Sequence, residues 1–219
     1  MVAERAALYV ADPINLTASF TYPATSLVSY LFQRVPGQFY EWQCLAGLDI
    51  LFLACIAPAA AMPRKNWAGA VLVFAAGFLL PFFFSVVPAG TPSTIYANAM
   101  ADTPLALLFG GTLCLYAAAG GRKTGFFACA MPLAVLTMTK DIGFAYALIV
   151  TFLIGLDQLF GTPHPDTKPA RIFGVSLAKC SILAAVVLAV FISWNRYTAA
   201  VTPTETTGAV SYTHLTLPT

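Results

Sequence analysis

The sequence predicts an all-α fold, a polytopic transmembrane helix bundle of about six spans plus one short interfacial helix, and three observations lead there. Of 219 residues, 59% are hydrophobic and only 9% charged, with a mean hydropathy of +0.79; soluble domains carry roughly 25% charged residues. Apolar runs long enough to cross a hydrocarbon core of ~30 Å recur along nearly the whole chain. Lipid offers no partner to a free backbone N–H or C=O, so such runs must cross as helices. These observations exclude a soluble enzyme and make the lipid bilayer a partner. The formal charge of +2 is small and scattered, and no Gly-rich phosphate loop, basic stripe or zinc spacing occurs, so no nucleic-acid partner is expected. Cys44, Cys55, Cys114, Cys129 and Cys180 all fall in apolar stretches without C-x-x-C spacing and read as small buried hydrophobes.

Taken in order, Met1–Phe20 has neither the basic start nor the long apolar core of a signal peptide, and the chain is expected to begin inside a loop. Phe20–Phe32 places Leu27, Val28, Leu31 and Phe32 at helical spacing over a short length and predicts a helix lying at the membrane surface. Pro36 and Gly37 end it. The first full span then covers about Gln38–Met62, with Tyr40 and Trp42 as interface anchors and Asp49 inside it as an intramembrane acid. Further spans follow at about Trp67–Val87, Asp102–Ala119 and Arg171–Trp194. Between the last two the chain reads as an apolar stretch from Gly125 to Phe160, interrupted in its middle by Thr139, Lys140 and Asp141. Gly125–Met138 would cover only ~21 Å at 1.5 Å per residue. That shortness predicts a Lys140-Asp141 turn recessed below the membrane surface, beside protein or a wet cavity. Lys179, about two turns inside the last span, can snorkel outward or face the bundle, and snorkelling is the favoured expectation. His164, alone in a polar loop, has no companion residue in view. Val210–Thr219 resembles a translated sequencing adaptor, so it is separated as a non-native tail from a domain covering residues 1–209.

Asp102 is followed by Thr103 and Pro104; proline suits the first turn of a helix, so the acid stands at or just before a helix N-terminus, where it can act simply as a cap. One set of loops holds Arg64, Lys65, Arg122, Lys123, Lys168 and Arg171, and the alternate set holds Arg34, Lys140 and Arg196. The positive-inside rule makes the first set cytoplasmic. Tyr22-Pro23, Asp102 and Lys140-Asp141 then share the outer face of a cell membrane.

Three pieces of the chain, F-T-Y-P-A-T-S-L-V-S-Y-L-F at Phe20, Y-A-N-A-M-A-D-T-P-L at Tyr96 and M-T-K-D-I-G at Met138, resemble the GT-C glycosyltransferases, in particular the protein mannosyltransferase and aminoarabinose transferase branch. The likeness covers most of Phe20–Tyr197. It implies transfer of a sugar from a polyprenyl-phosphate-linked donor to a glycan, lipid or protein acceptor at the outer face. It assigns Asp102, Lys140 and Asp141 to catalysis and Tyr22, Pro23 and Tyr96 to substrate binding, with Asp102 also able to hold a divalent metal ion. The family's first helix and the acid used as catalytic base are expected upstream of Met1, so this stretch alone is expected to be inactive; Asp12 is the weaker substitute. The rival reading is a multi-pass transporter or lipid flippase with Asp49 and Lys179 on its pathway, and a membrane interaction subunit without chemistry is the third.

Overall fold

A computed structural model describes residues 22–34, 40–63, 66–83, 101–120, 123–161 and 169–201. Tyr96, Asp12, His164 and Val210–Thr219 lie outside these residues. Among the described residues the fold is helical without strands: α1 (Ala24–Gln33), α2 (Glu41–Ala60), α3 (Trp67–Phe83), α4 (Asp102–Ala118), α5 (Lys123–Ala128), α6 (Ala130–Thr137), α7 (Gly143–Leu156) and α8 (Pro169–Val201). A π-helical turn, Asp157–Gly161, continues α7. Among the described residues three helices are long and apolar enough to cross a membrane: Trp42–Ala60, Gly143–Phe160 and Phe173–Ala200. Trp67–Leu79, Asp102–Ala118 and Gly125–Thr137 are apolar but shorter, so three of the six expected spans meet that length.

The stretch Phe20–Phe32, expected to be helical, forms α1. Its apolar Leu27 and Leu31 point away from the protein, while Ser26, Ser29 and Gln33 are buried. Of this inward polar stripe Gln33 is the bonded member, while the Ser26 and Ser29 hydroxyls are buried without a hydrogen-bond partner among the described residues. Gln33 Oε1 accepts from the Tyr40 N–H at 3.0 Å, and its Nε2 donates to the Tyr40 carbonyl and, at 3.1 Å, to Cys44 Sγ. Tyr40 is the N-cap of α2 and has no cap bond of its own, so Gln33 supplies the capping contact and pins the two helices together.

In α2, Cys44, Leu48 and Phe52 recur every four residues as one buried stripe. The helix approaches α4 closely at Gly111, where a Cβ would stand 2.8 Å from the Cys55 carbonyl oxygen. The main core lies among α4, α6, α7 and α8 and includes Leu105, Leu108, Leu133, Leu136, Val150, Ile154, Leu183 and Val187. Phe144 stacks on Phe191 with centroids 4.3 Å apart, fastening α7 to α8. The five cysteines are free; Cys44 and Cys129 are buried as expected, while Cys55, Cys114 and Cys180 are half-buried.

Candidate functional site

Two carboxylates, one lysine and one tyrosine meet at the end of the bundle where α4 begins. Asp102 is the first residue of α4; Ala101 is the N-cap, and no side-chain cap bond forms. The carboxylate is therefore free of the capping role and turns to the α6–α7 turn, where Lys140 Nζ donates to its Oδ1 in an ion pair. The Lys140 side chain is 46% and the Asp102 side chain 67% exposed, so the pair stands in solvent and contributes at most about 1 kcal/mol to stability.

The turn from Met138 to Ile142 that presents Lys140 is made by tight packing. The Gly143 N–H donates to the Lys140 carbonyl at 2.8 Å, and a Cβ on Gly143 would collide with the Leu136 carbonyl oxygen. Thr139 is buried and donates to the Val135 carbonyl at 2.8 Å, so Lys140 and Asp141 are the residues turned outward. The start of α1 is tied to the same turn, because the Ala24 N–H donates to the Met138 carbonyl at 2.9 Å. Tyr22 thereby comes into the field of Asp141. Burial first, and the Asp141 negative charge second, push its phenol above the usual tyrosine range, which keeps it protonated and able to donate at neutral pH.

Beside this cluster runs an apolar groove of about 540 Å³, lined by Pro23, Leu27, Met138, Val190, Trp194 and Tyr197 among others. Trp194 and Tyr197 are stacked, 5.6 Å between centroids. That these two rings line one groove with Pro23 and Met138 requires the packing of α8. Asp102, Lys140, Asp141, Tyr22 and Pro23 are thus gathered at one end. Asp49 stays half-buried in α2, with its Oδ1 buried and without a hydrogen-bond partner among the described residues.

No group of three or more His, Cys, Asp or Glu side chains gathers among the described residues. A divalent ion at Asp102 would draw its remaining ligands from substrate phosphate and water, a donor set that magnesium accepts, and would compete with Lys140 for the carboxylate.

A second polar group sits at the far end of α4, and here the expectation for Lys179 is corrected. Instead of snorkelling, Lys179 donates to Gln158 Oε1 at 2.8 Å and lies 5.8 Å from the centre of the Phe126 ring. Gln158 Nε2 donates to Tyr116 Oη, and Tyr116 donates to Asp157 Oδ2 at 2.8 Å. The buried Gln158 amide inside the π-helical turn offers the ammonium a fixed acceptor, which removes the reason to reach for water. The sequence signal for this group was Asp157-Gln158 closing an apolar run.

No family model matches the chain, and no curated protein or solved structure matches it.

Proposed function

We propose that this chain forms part of a multi-pass membrane glycosyltransferase of the GT-C kind, moving a sugar from a polyprenyl-phosphate donor to an acceptor hydroxyl or amine at the outer face. The observation that supports it best is the Asp102–Lys140 ion pair, with Asp141 and Tyr22 beside it, at the same end as an apolar groove lined by Pro23 and Met138. A lipid-linked phosphate needs both halves: an apolar channel for the chain and a cation where phosphate meets water. The acceptor oxygen or nitrogen attacks the anomeric carbon and gives its proton to a carboxylate, the base that the resemblance places upstream of Met1; the bond from that carbon to the phosphate oxygen breaks, and the phosphate leaves with the electron pair. Lys140, released from Asp102, would meet the charge growing on that phosphate as a compact point charge. Tyr22 would donate to a phosphate or sugar oxygen, Pro23 and the Trp194–Tyr197 pair would hold the first units of the lipid, and Asp141 would hold the turn's lysine toward the phosphate. Tyr96, just upstream of Asp102, takes its substrate-binding role from the sequence resemblance alone.

The test is transfer by the full-length gene product with a polyprenyl-phosphate sugar. Lys140→Met is expected to lower kcat about 100-fold or more, the scale of losing one preorganised charge-stabilising donor, with the protein folded and inserted. A wild-type rate in that variant would withdraw Lys140 from the chemistry. The inward bond of Lys179 to Gln158 suits the transporter or flippase reading, and lipid movement across vesicles without sugar transfer would select it.

A further inference from the structure

The polar group at the other end of α4 is not used by the transfer reading. Tyr116 lies fourteen residues beyond Asp102, about 21 Å along the helix axis. Between α4 and α7 at that end is a pocket of about 370 Å³, whose lining includes Leu113, Tyr116, Ala117, Leu153, Ile154 and Asp157. Its chemistry is one-sided. Tyr116 is buried and already both donates, to Asp157, and accepts, from Gln158, so it has little left to offer a ligand. Asp157 takes that one hydrogen bond and no ion pair among the described residues, leaving an exposed carboxylate oxygen at the rim.

The cation nearest to it along the bonded chain, Lys179, is held off by two intervening side chains, Gln158 and Tyr116. The hydrogen bonds run in one direction from ammonium to carboxylate, so the lysine orients the network without neutralising Asp157. The C-terminal end of α4, closed by Gly120 at φ 61°, also borders the pocket and adds the negative end of a helix dipole. The rest of the wall is apolar: Leu153 stands four residues before Asp157, about 6 Å deeper along α7. Asp157 is the one charged side chain in this lining, and a carboxylate over an apolar interior fits a cation that carries a hydrocarbon chain.

We propose that this pocket binds the primary ammonium group of an amphiphile, with the nitrogen at Asp157 and the chain along Leu113, Ala117 and Leu153. A membrane supplies that chemistry as an ethanolamine phospholipid, and a free alkylamine supplies it without phosphate. The full-length protein in detergent would be titrated with phosphatidylethanolamine and phosphatidylglycerol of identical acyl chains, and bound lipid counted by native mass spectrometry. The wild type is expected to hold phosphatidylethanolamine about five- to tenfold more tightly, the effect of one partly exposed ion pair together with the dipole. Asp157→Asn, which still accepts from Tyr116, should abolish that preference at an unchanged melting temperature, and Ala117→Phe, which fills the pocket and keeps the charge, should abolish it too. Octylamine should displace the bound lipid in the wild type, and ethanolamine should not. Equal binding of the two lipids by the wild type, or an intact preference in either variant, would overturn the site. Displacement by ethanolamine as effective as by octylamine would overturn the amphiphile. Tyr116→Phe should retain the preference, because it leaves the carboxylate in place; its loss there would reduce the group to a clasp between helices.

Discussion

At Gly143 a single missing Cβ decides where a charge stands. The Leu136 carbonyl occupies the space a side chain would fill, and that contact lets α6 turn into α7 within five residues, Met138 to Ile142. Lys140 sits on that turn and reaches Asp102 across 38 residues of sequence. Gly143→Ala is therefore expected to cost about 1–3 kcal/mol, the range for overpacking, and to separate the ion pair. Thermal unfolding in detergent would read the first effect. Because the exposed pair itself is worth little, removing it by Asp102→Asn should leave the melting temperature nearly unchanged. A melting temperature as low in Asp102→Asn as in Gly143→Ala would show that the pair, and not the turn, carries the stability.

Among the elements, α1 reverses the pattern of a soluble amphipathic helix: its small polar residues face α2 and its leucines face outward. Lipid is as apolar as leucine, so little is gained by burying leucine against protein, and close packing with internal hydrogen bonds holds membrane helices together. Gln33 is the centre of that arrangement, satisfying both backbone groups of Tyr40. Gln33→Leu should destabilise the α1–α2 pair by about 0.5–1.5 kcal/mol, the net worth of a hydrogen bond, because the Tyr40 groups are half-buried and its carbonyl keeps the Gln43 N–H. Leu31→Ala, at a position 65% exposed, should change stability by less than about 0.5 kcal/mol. The reverse order, measured as fraction folded against denaturing detergent, would mean that α1 is held by its apolar face.

For the molecule as a whole, the consequence of antiparallel packing is a separation of polar groups. Tyr22, Asp102, Lys140 and Asp141 collect at one end, and Asp157, Tyr116, Gln158 and Lys179 at the other. The basic-residue bias predicts that the first end is the outer one. In intact cells, single cysteines introduced by Asp102→Cys and Asp141→Cys in a background free of native cysteines should react with an impermeant maleimide. One introduced by Asp157→Cys should react only after permeabilisation. Labelling of the third and not of the first two would invert the protein and remove the outer-face reaction.

Composition and periodicity alone determined that the chain is helical and suited to lipid, because 59% hydrophobic residues with so few charges leave no other way to satisfy the backbone. They also marked the helix start at Asp102-Thr103-Pro104 and the short run before Lys140, since proline's fixed φ and a 1.5 Å rise are local properties. What those residues do depended on contacts distant in sequence. That Asp102 is an ion-pair partner and not a cap, that α1 turns its serines inward, and that Trp194 and Tyr197 border the Tyr22-Pro23 segment follow only from how α4, α6 and α8 pack. Lys179 shows the reason most directly. A lysine two turns inside a span can reach water or find an acceptor, and the choice was made by Gln158, 21 residues away, in a π-helical turn that the apolar pattern of α7 does not announce.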